Sequence, residues 1–109
     1  MILVIGGYAA GKRQYVRDAL GYSDAQMSNQ IADALPVFYG LESQPDTPLE
    51  QLLQKEVVIC DEIGGGLVPM DKDERQRRER VGRLCVALAR EATQVIRVGC
   101  GIGQVIKGG

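Results

Sequence analysis

The chain contains no histidine and no Cys-x-x-Cys pair. These absences remove the usual ligand sets for zinc. Its three cysteines, Cys60, Cys85 and Cys100, are widely spaced and odd in number. That pattern fits reduced thiols in a cytoplasmic protein rather than a disulfide framework. Cys60 and Cys85 fall within apolar patterns and read as small hydrophobes. An excess of one charge is also lacking: the net charge is −1, so nucleic acid is not indicated as a partner. No apolar run approaches a membrane span. The first covers only Ile2–Ile5 with no basic residue before it, so neither a signal peptide nor a membrane partner is expected. Repeats and linkers are missing too, and 109 residues fit one domain, 1–109. So small a domain buries little surface per residue, which makes a homo-oligomer plausible.

What is present begins with glycine, at 14 residues. Gly6-Gly7-Tyr8-Ala9-Ala10-Gly11-Lys12 follows the apolar run Ile2–Ile5 and precedes a helical segment, Lys12 to Leu20. Strand, glycine loop with a terminal lysine, then helix is the order that cradles a phosphate chain. Converging backbone N–H groups and the helix N-terminus favour an anion. Gly6, Gly7, Tyr8, Ala9, Ala10, Gly11, Lys12 and Arg13 are therefore the expected nucleotide-binding residues, with Lys12 reaching the outer phosphates. The full pattern places Ser or Thr after the lysine to ligate magnesium. Here Arg13 stands in that position. A guanidinium cannot ligate a cation, but it can touch a phosphate or replace part of the metal's charge.

Further along, Gly21 is a C-cap candidate. Ser23 with Gln26 reads as a capping box opening a second helix, Asp24 to Ala34, which Pro36 ends. Val37–Tyr39 is a short strand. Thr47-Pro48-Leu49-Glu50 predicts a helix start with a Thr cap, running to about Gln54. Val57–Cys60 is a second continuous apolar run, and Gln94–Val98 reads as a third strong strand. Continuous runs such as Ile2–Ile5 and Val57–Cys60 suit strands covered on both faces. Asp71 with Glu74 caps a long helix, Lys72 to Glu91, with Val81, Leu84, Cys85 and Leu88 on one face. Gln104–Lys107 is a possible last strand. The alternation predicts an α/β fold of small P-loop type in three layers, a mostly parallel sheet with helices on both faces.

In such sheets ligands sit at the carboxyl ends of strands. Asp61-Glu62 lies at one such end. Asp61 is placed to hold magnesium through water, and Glu62 to orient or deprotonate an attacking hydroxyl. The alternative is that both acids merely open a solvated loop. The charged segment Asp71 to Arg80 reads mostly as a solvated helix face with i,i+4 pairs such as Glu74–Arg78 and Glu79–Arg83. Arg83, where the helix turns apolar, is the arginine expected to point inward and clamp a phosphate.

Met1 to Lys12 resembles the opening of the bifunctional adenosylcobinamide kinase / adenosylcobinamide-phosphate guanylyltransferase family, M-I-L-V-x-G-G-x-x-S-G-K-S. Glu62 to Pro69 resembles that family's N-E-V-G-x-G-I-V-P. Val81-Gly82-Arg83-Leu84, Ala89 to Val98, Gly101-Ile102 and Ile106-Lys107-Gly108 are similar to its closing segment. The resemblance implies a nucleotide-binding parallel-sheet fold and a place in cobalamin assembly. It implies ATP or GTP with magnesium, a corrinoid substrate phosphorylated on its aminopropanol hydroxyl, and a trimer. Gly6, Gly7, Gly11 and Lys12 would bind phosphates. Glu62, Gly64, Gly66, Val68 and Pro69 would form the adjoining loop, and Arg83 would match the family's helix arginine. The family chain is longer, and its middle carries the guanylylated histidine. With no histidine here, guanylyl transfer by that route is excluded. Ala10 and Arg13 replace loop serines, and Asp61 replaces an asparagine. The expectation is a kinase-like protein without the transferase half. A non-catalytic nucleotide- or corrinoid-binding relative is the alternative, and an unrelated small-molecule kinase is a third.

Overall fold

Two uninterrupted apolar runs, Ile2–Ile5 and Val57–Cys60, are buried between two layers, and with a third strand whose only charge is the exposed Arg97 they form the centre of the sheet. The structure, a computed structural model, describes residues 1–61 and 71–108. β1 (Ile2–Gly6) lies between β4 (Val57–Asp61) and β5 (Gln94–Gly99), parallel to both. β3 (Val37–Tyr39) pairs parallel with β4, and β2 (Met27–Ser28) pairs parallel with β3. β6 (Ile102–Lys107) closes the other edge, antiparallel to β5. The order across the six-stranded sheet is β2-β3-β4-β1-β5-β6. This is a mixed α/β fold with a mostly parallel sheet. Among the described residues no helix is long and apolar enough to cross a membrane.

Alternation along the strands separates two cores. Leu3, Phe38, Val58 and Val95 point to the face covered by α2 (Leu49–Leu53) and α3 (Lys72–Glu91), through Leu52, Val81 and Leu88. Val4, Val37, Ile59 and Ile96 point to the opposite face, where α1 (Lys12–Leu20) contributes Val16. Helices therefore cover both faces, as the alternating pattern predicts.

The local end signals of α1 and α3 hold. Gly21 ends α1 in the left-handed conformation, φ 81°. The Asp71 carboxylate accepts the Glu74 N–H at 2.8 Å to start α3. Three expectations are corrected. Residues 24–34 do not form a helix. The Ser23–Gln26 pairing is present, with Gln26 Oε1 accepting the Ser23 N–H at 2.8 Å, but it caps a single 3₁₀ turn, Asp24–Gln26. The chain then enters β2. Ser28 Oγ accepts the Gln30 N–H at 3.0 Å and donates to Asp33 Oδ2 at 2.5 Å. Short polar side chains that bond locally to backbone compete with helix, and burial of Met27 and Ser28 beside β3 decides the outcome. Thr47 is not the cap of α2. Its hydroxyl donates to the Gln44 carbonyl at 2.8 Å, and Pro48 occupies the cap position. The last strand begins two residues earlier than Gln104, because its hairpin with β5 pairs Ile102 with Gly99.

Candidate functional site

The loop 7–11 connects β1 to α1 at the carboxyl ends of the central strands. The Ala10 N–H bonds to the Gly7 carbonyl at 3.1 Å, and Tyr15 N–H to the Gly11 carbonyl at 2.9 Å. The chain curls tightly, with Ala9 at φ 60° and Gly11 at φ 86°. Two glycines are required by space as well as by torsion. A Cβ on Gly6 would collide with the Val98 carbonyl, and one on Gly11 would press within 3.3 Å of Gly101 Cα. The Gly101 N–H donates to the Ala10 carbonyl at 2.9 Å, so the turn between β5 and β6 braces the loop. The N-terminus of α1 has no side-chain cap and no acid in its first turn. Its positive end is thus uncompensated by its own sequence.

Lys12 is the best-buried charge described, 7% exposed. An ammonium in that position has to be paired. Its Nζ donates to the Gly7 carbonyl at 2.7 Å and lies 2.6 Å from Asp61 Oδ1. The register explains the pair: Gly6 stands opposite Asp61 across β1 and β4, so the residue ending one strand faces the root of the loop. Asp61 is 27% exposed, and its backbone N–H donates to Glu42 Oε2 at 3.5 Å.

Around this pair opens a cleft of about 300 Å³, walled by the loop, the start of α1, Tyr39, Glu42 and Asp61. Arg13 lies on its rim. The guanidinium sits 4.4 Å above the Tyr39 ring centroid, and its Nη2 is 3.8 Å from Asp24 Oδ1. A cation over an aromatic face is held without being fully neutralised. Tyr8, at the loop tip, is almost wholly exposed. A second cleft of about 700 Å³ lies on the other side of the loop, between Gly7–Ala10 and Arg97, Cys100 and Gln104.

The structure therefore gathers Gly6, Gly7, Tyr8, Ala9, Ala10, Gly11, Lys12, Arg13 and Asp61 in one place. It does not gather Arg83. That side chain is 78% exposed on the outer face of α3, 3.8 Å from Glu79 as its i,i+4 partner. Helical periodicity explains the correction: the stripe Val81, Leu84, Cys85, Leu88 faces the core, and position 83 falls on the opposite side. Glu62 and the segment 64–69 lie outside the described residues. Glu42 and Tyr39 are additions that the sequence reading missed. Both follow from the rule about carboxyl strand ends, had it been applied to Val37–Tyr39 as well as to the stronger strands.

Chemically, the loop amides, the α1 terminus and Lys12 suit a phosphate chain. The oxygen donors beside them, Asp61 and Glu42, fit a magnesium ion held by one or two carboxylates and by phosphate oxygens. Among the described residues no group of three or more acidic or thiol side chains forms a metal site by itself. No protein-family model matches this chain, and no curated protein matches it.

Proposed function

We propose that the protein is an adenosylcobinamide kinase-like enzyme of P-loop type. It would transfer the γ-phosphoryl group of ATP or GTP to the aminopropanol hydroxyl of a cobinamide. The observation that carries this reading is Lys12, buried at the end of the glycine loop and held by Gly7 and Asp61 at the mouth of a cleft. An ammonium paired with one carboxylate and one carbonyl can exchange those partners for phosphate oxygens at little desolvation cost.

In this reading the loop amides and the α1 N-terminus hold the β- and γ-phosphates. Magnesium, when bound with the nucleotide, supplies charge neutralisation across those phosphates. Asp61 positions the ion, and Glu42 or Glu62 accepts the proton of the attacking hydroxyl. Arg13, on the rim, adds a cationic contact to the outer phosphate. The cleft between the loop and Arg97 is the space for the acceptor arm of the corrinoid. A cytoplasmic homo-oligomer, a trimer as in the family it resembles, belongs to the same reading. The exposed Ile102, Val105 and Ile106 on edge strand β6 are the surface it would cover.

Arg13 favours a second reading. A guanidinium where a magnesium-ligating hydroxyl is usual suits a protein that binds a nucleotide or corrinoid without turnover. Calorimetric titration with ATP and GTP, with and without magnesium and adenosylcobinamide, separates the two. Magnesium-strengthened binding with label transfer from γ-phosphate to the corrinoid is the expected result. Metal-independent binding without transfer supports the second reading. No binding of either nucleotide or corrinoid overturns both.

A further inference from the structure

Two thiols from distant parts of the chain meet beneath the site. Cys60 ends the buried part of β4, and Cys85 lies one turn before Leu88 on α3. Their Sγ atoms are 2.9 Å apart, and neither is in a disulfide. A bonded pair has its sulfurs about 2.05 Å apart, so closing the bridge takes a movement of about 1 Å. The two side chains already point at each other across the sheet–helix layer.

We propose that Cys60 and Cys85 are a thiol pair that closes to an intramolecular disulfide on meeting an oxidised low-molecular-weight disulfide such as glutathione disulfide. Closure ties α3 to the strand end that presents Asp61, because Cys60 precedes that residue and its Sγ lies 3.4 Å from the Asp61 carbonyl. The idea does not depend on any ligand in the cleft.

The environments of the two sulfurs assign the order of events. Cys60 is fully buried, whereas Cys85 is partly exposed. Cys85 is thus the attacking thiolate. Its sulfur attacks one sulfur of glutathione disulfide, forming a mixed disulfide and expelling one glutathione thiolate. Cys60 then loses its proton, and its sulfur attacks the Cys85 sulfur and expels the second glutathione. Two electrons pass to glutathione disulfide, and the two protein protons end on two glutathione thiols.

The test uses the full chain with exposed Cys100 replaced, Cys100→Ser, incubated with excess glutathione disulfide. Tryptic peptides 56–72 and 84–90 each contain one cysteine of the pair. The expected result is these two peptides joined, with no retained glutathione. A stable glutathione adduct on Cys85, or two unreacted thiols, overturns the proposal. In Cys60→Ala, made in the same background, the adduct on Cys85 is expected to accumulate because nothing resolves it. Should that variant not fold, the peptide map of the Cys100→Ser protein decides alone.

Discussion

The chain places positive charge in two opposite ways. At the carboxyl ends of β1 and β4 it buries a single ammonium, Lys12, and holds it with two oxygens. Along α3 it strings Arg75, Arg77, Arg80 and Arg83 into solvent, with Arg78 half-buried among them. The second region has far more charge, yet its ion pairs are long and loose, as between Arg80 and Asp46 at 3.7 Å or Arg83 and Glu79 at 3.8 Å. Such pairs contribute about 0–1 kcal/mol and weaken with salt. The first region buries one cation, and water screens its field far less than it does the arginines of α3. Burial and exchangeable partners set Lys12 apart, while number of charges gives α3 a solvated surface.

Lys12→Ala is the strongest way to break this contrast. It removes the cation and leaves the Asp61 carboxylate without its ion-pair partner. Because Asp61 keeps some access to water, the expected loss of stability is about 1–2 kcal/mol rather than the larger value of a sealed pair. ATP affinity should fall by about 10- to 100-fold, the worth of a charge-assisted hydrogen bond. Urea unfolding and calorimetry read the two effects separately. Unchanged affinity would remove the phosphate-loop reading.

Asp61→Asn sharpens it from the other partner. The amide keeps the shape and frees Lys12 from its ion pair. Metal-free ATP binding should tighten by about three- to tenfold, since nucleotide no longer competes with a carboxylate. The gain that magnesium gives should disappear at the same time. If magnesium still strengthens binding in this variant, Asp61 is not where the ion is held.

Arg13→Ser probes the boundary between the two regions, a cation that is neither buried nor free. Losing its stack on Tyr39 and its reach to phosphate should weaken metal-free ATP binding about threefold, the scale of an exposed cation–π contact. The new hydroxyl should make affinity more dependent on magnesium. Equal affinities without metal would place Arg13 outside the nucleotide site.

The parts of the site that could be read from sequence came from strong local signals. An uninterrupted apolar run can only be a central strand, so Gly6 and Asp61, each just after such a run, had to lie at the same edge of the sheet. The caps of α1 and α3 were legible for the same reason, since each depends on residues a few positions apart. Glu42 and Tyr39 arrive by the segment 24–46, where the signals conflict. Met27, Ile31 and Leu35 repeat at a helical interval, but Ser28, Gln30 and Asp33 bond to one another and to local backbone. The pairing of a two-residue strand with β3 settles that conflict, and such a partner is ten residues away and invisible to periodicity. The antiparallel direction of β6 likewise goes with a turn braced against the glycine loop, not with its own composition. The closeness of Cys60 and Cys85 was illegible because spacing of 25 residues says nothing about a helix packing over a strand.

Arg83→Ala has the smallest expected effect and is the control for the whole comparison. The family resemblance singles out this arginine, whereas its position on α3 turns it away from the cleft. A site residue would lose affinity or turnover by about tenfold or more on truncation. An exposed helix residue with one long i,i+4 pair should change stability by less than about 0.5 kcal/mol and ATP affinity by less than about twofold. Raising the salt should shrink even that, because the Glu79 pair is open to solvent. A large effect on corrinoid phosphorylation with no effect on ATP affinity would mean that the outer face of α3 meets the second substrate. The division between a buried lysine and a solvated arginine face would then fail at this residue, and the acceptor would have to be sought on α3 instead of beside Arg97.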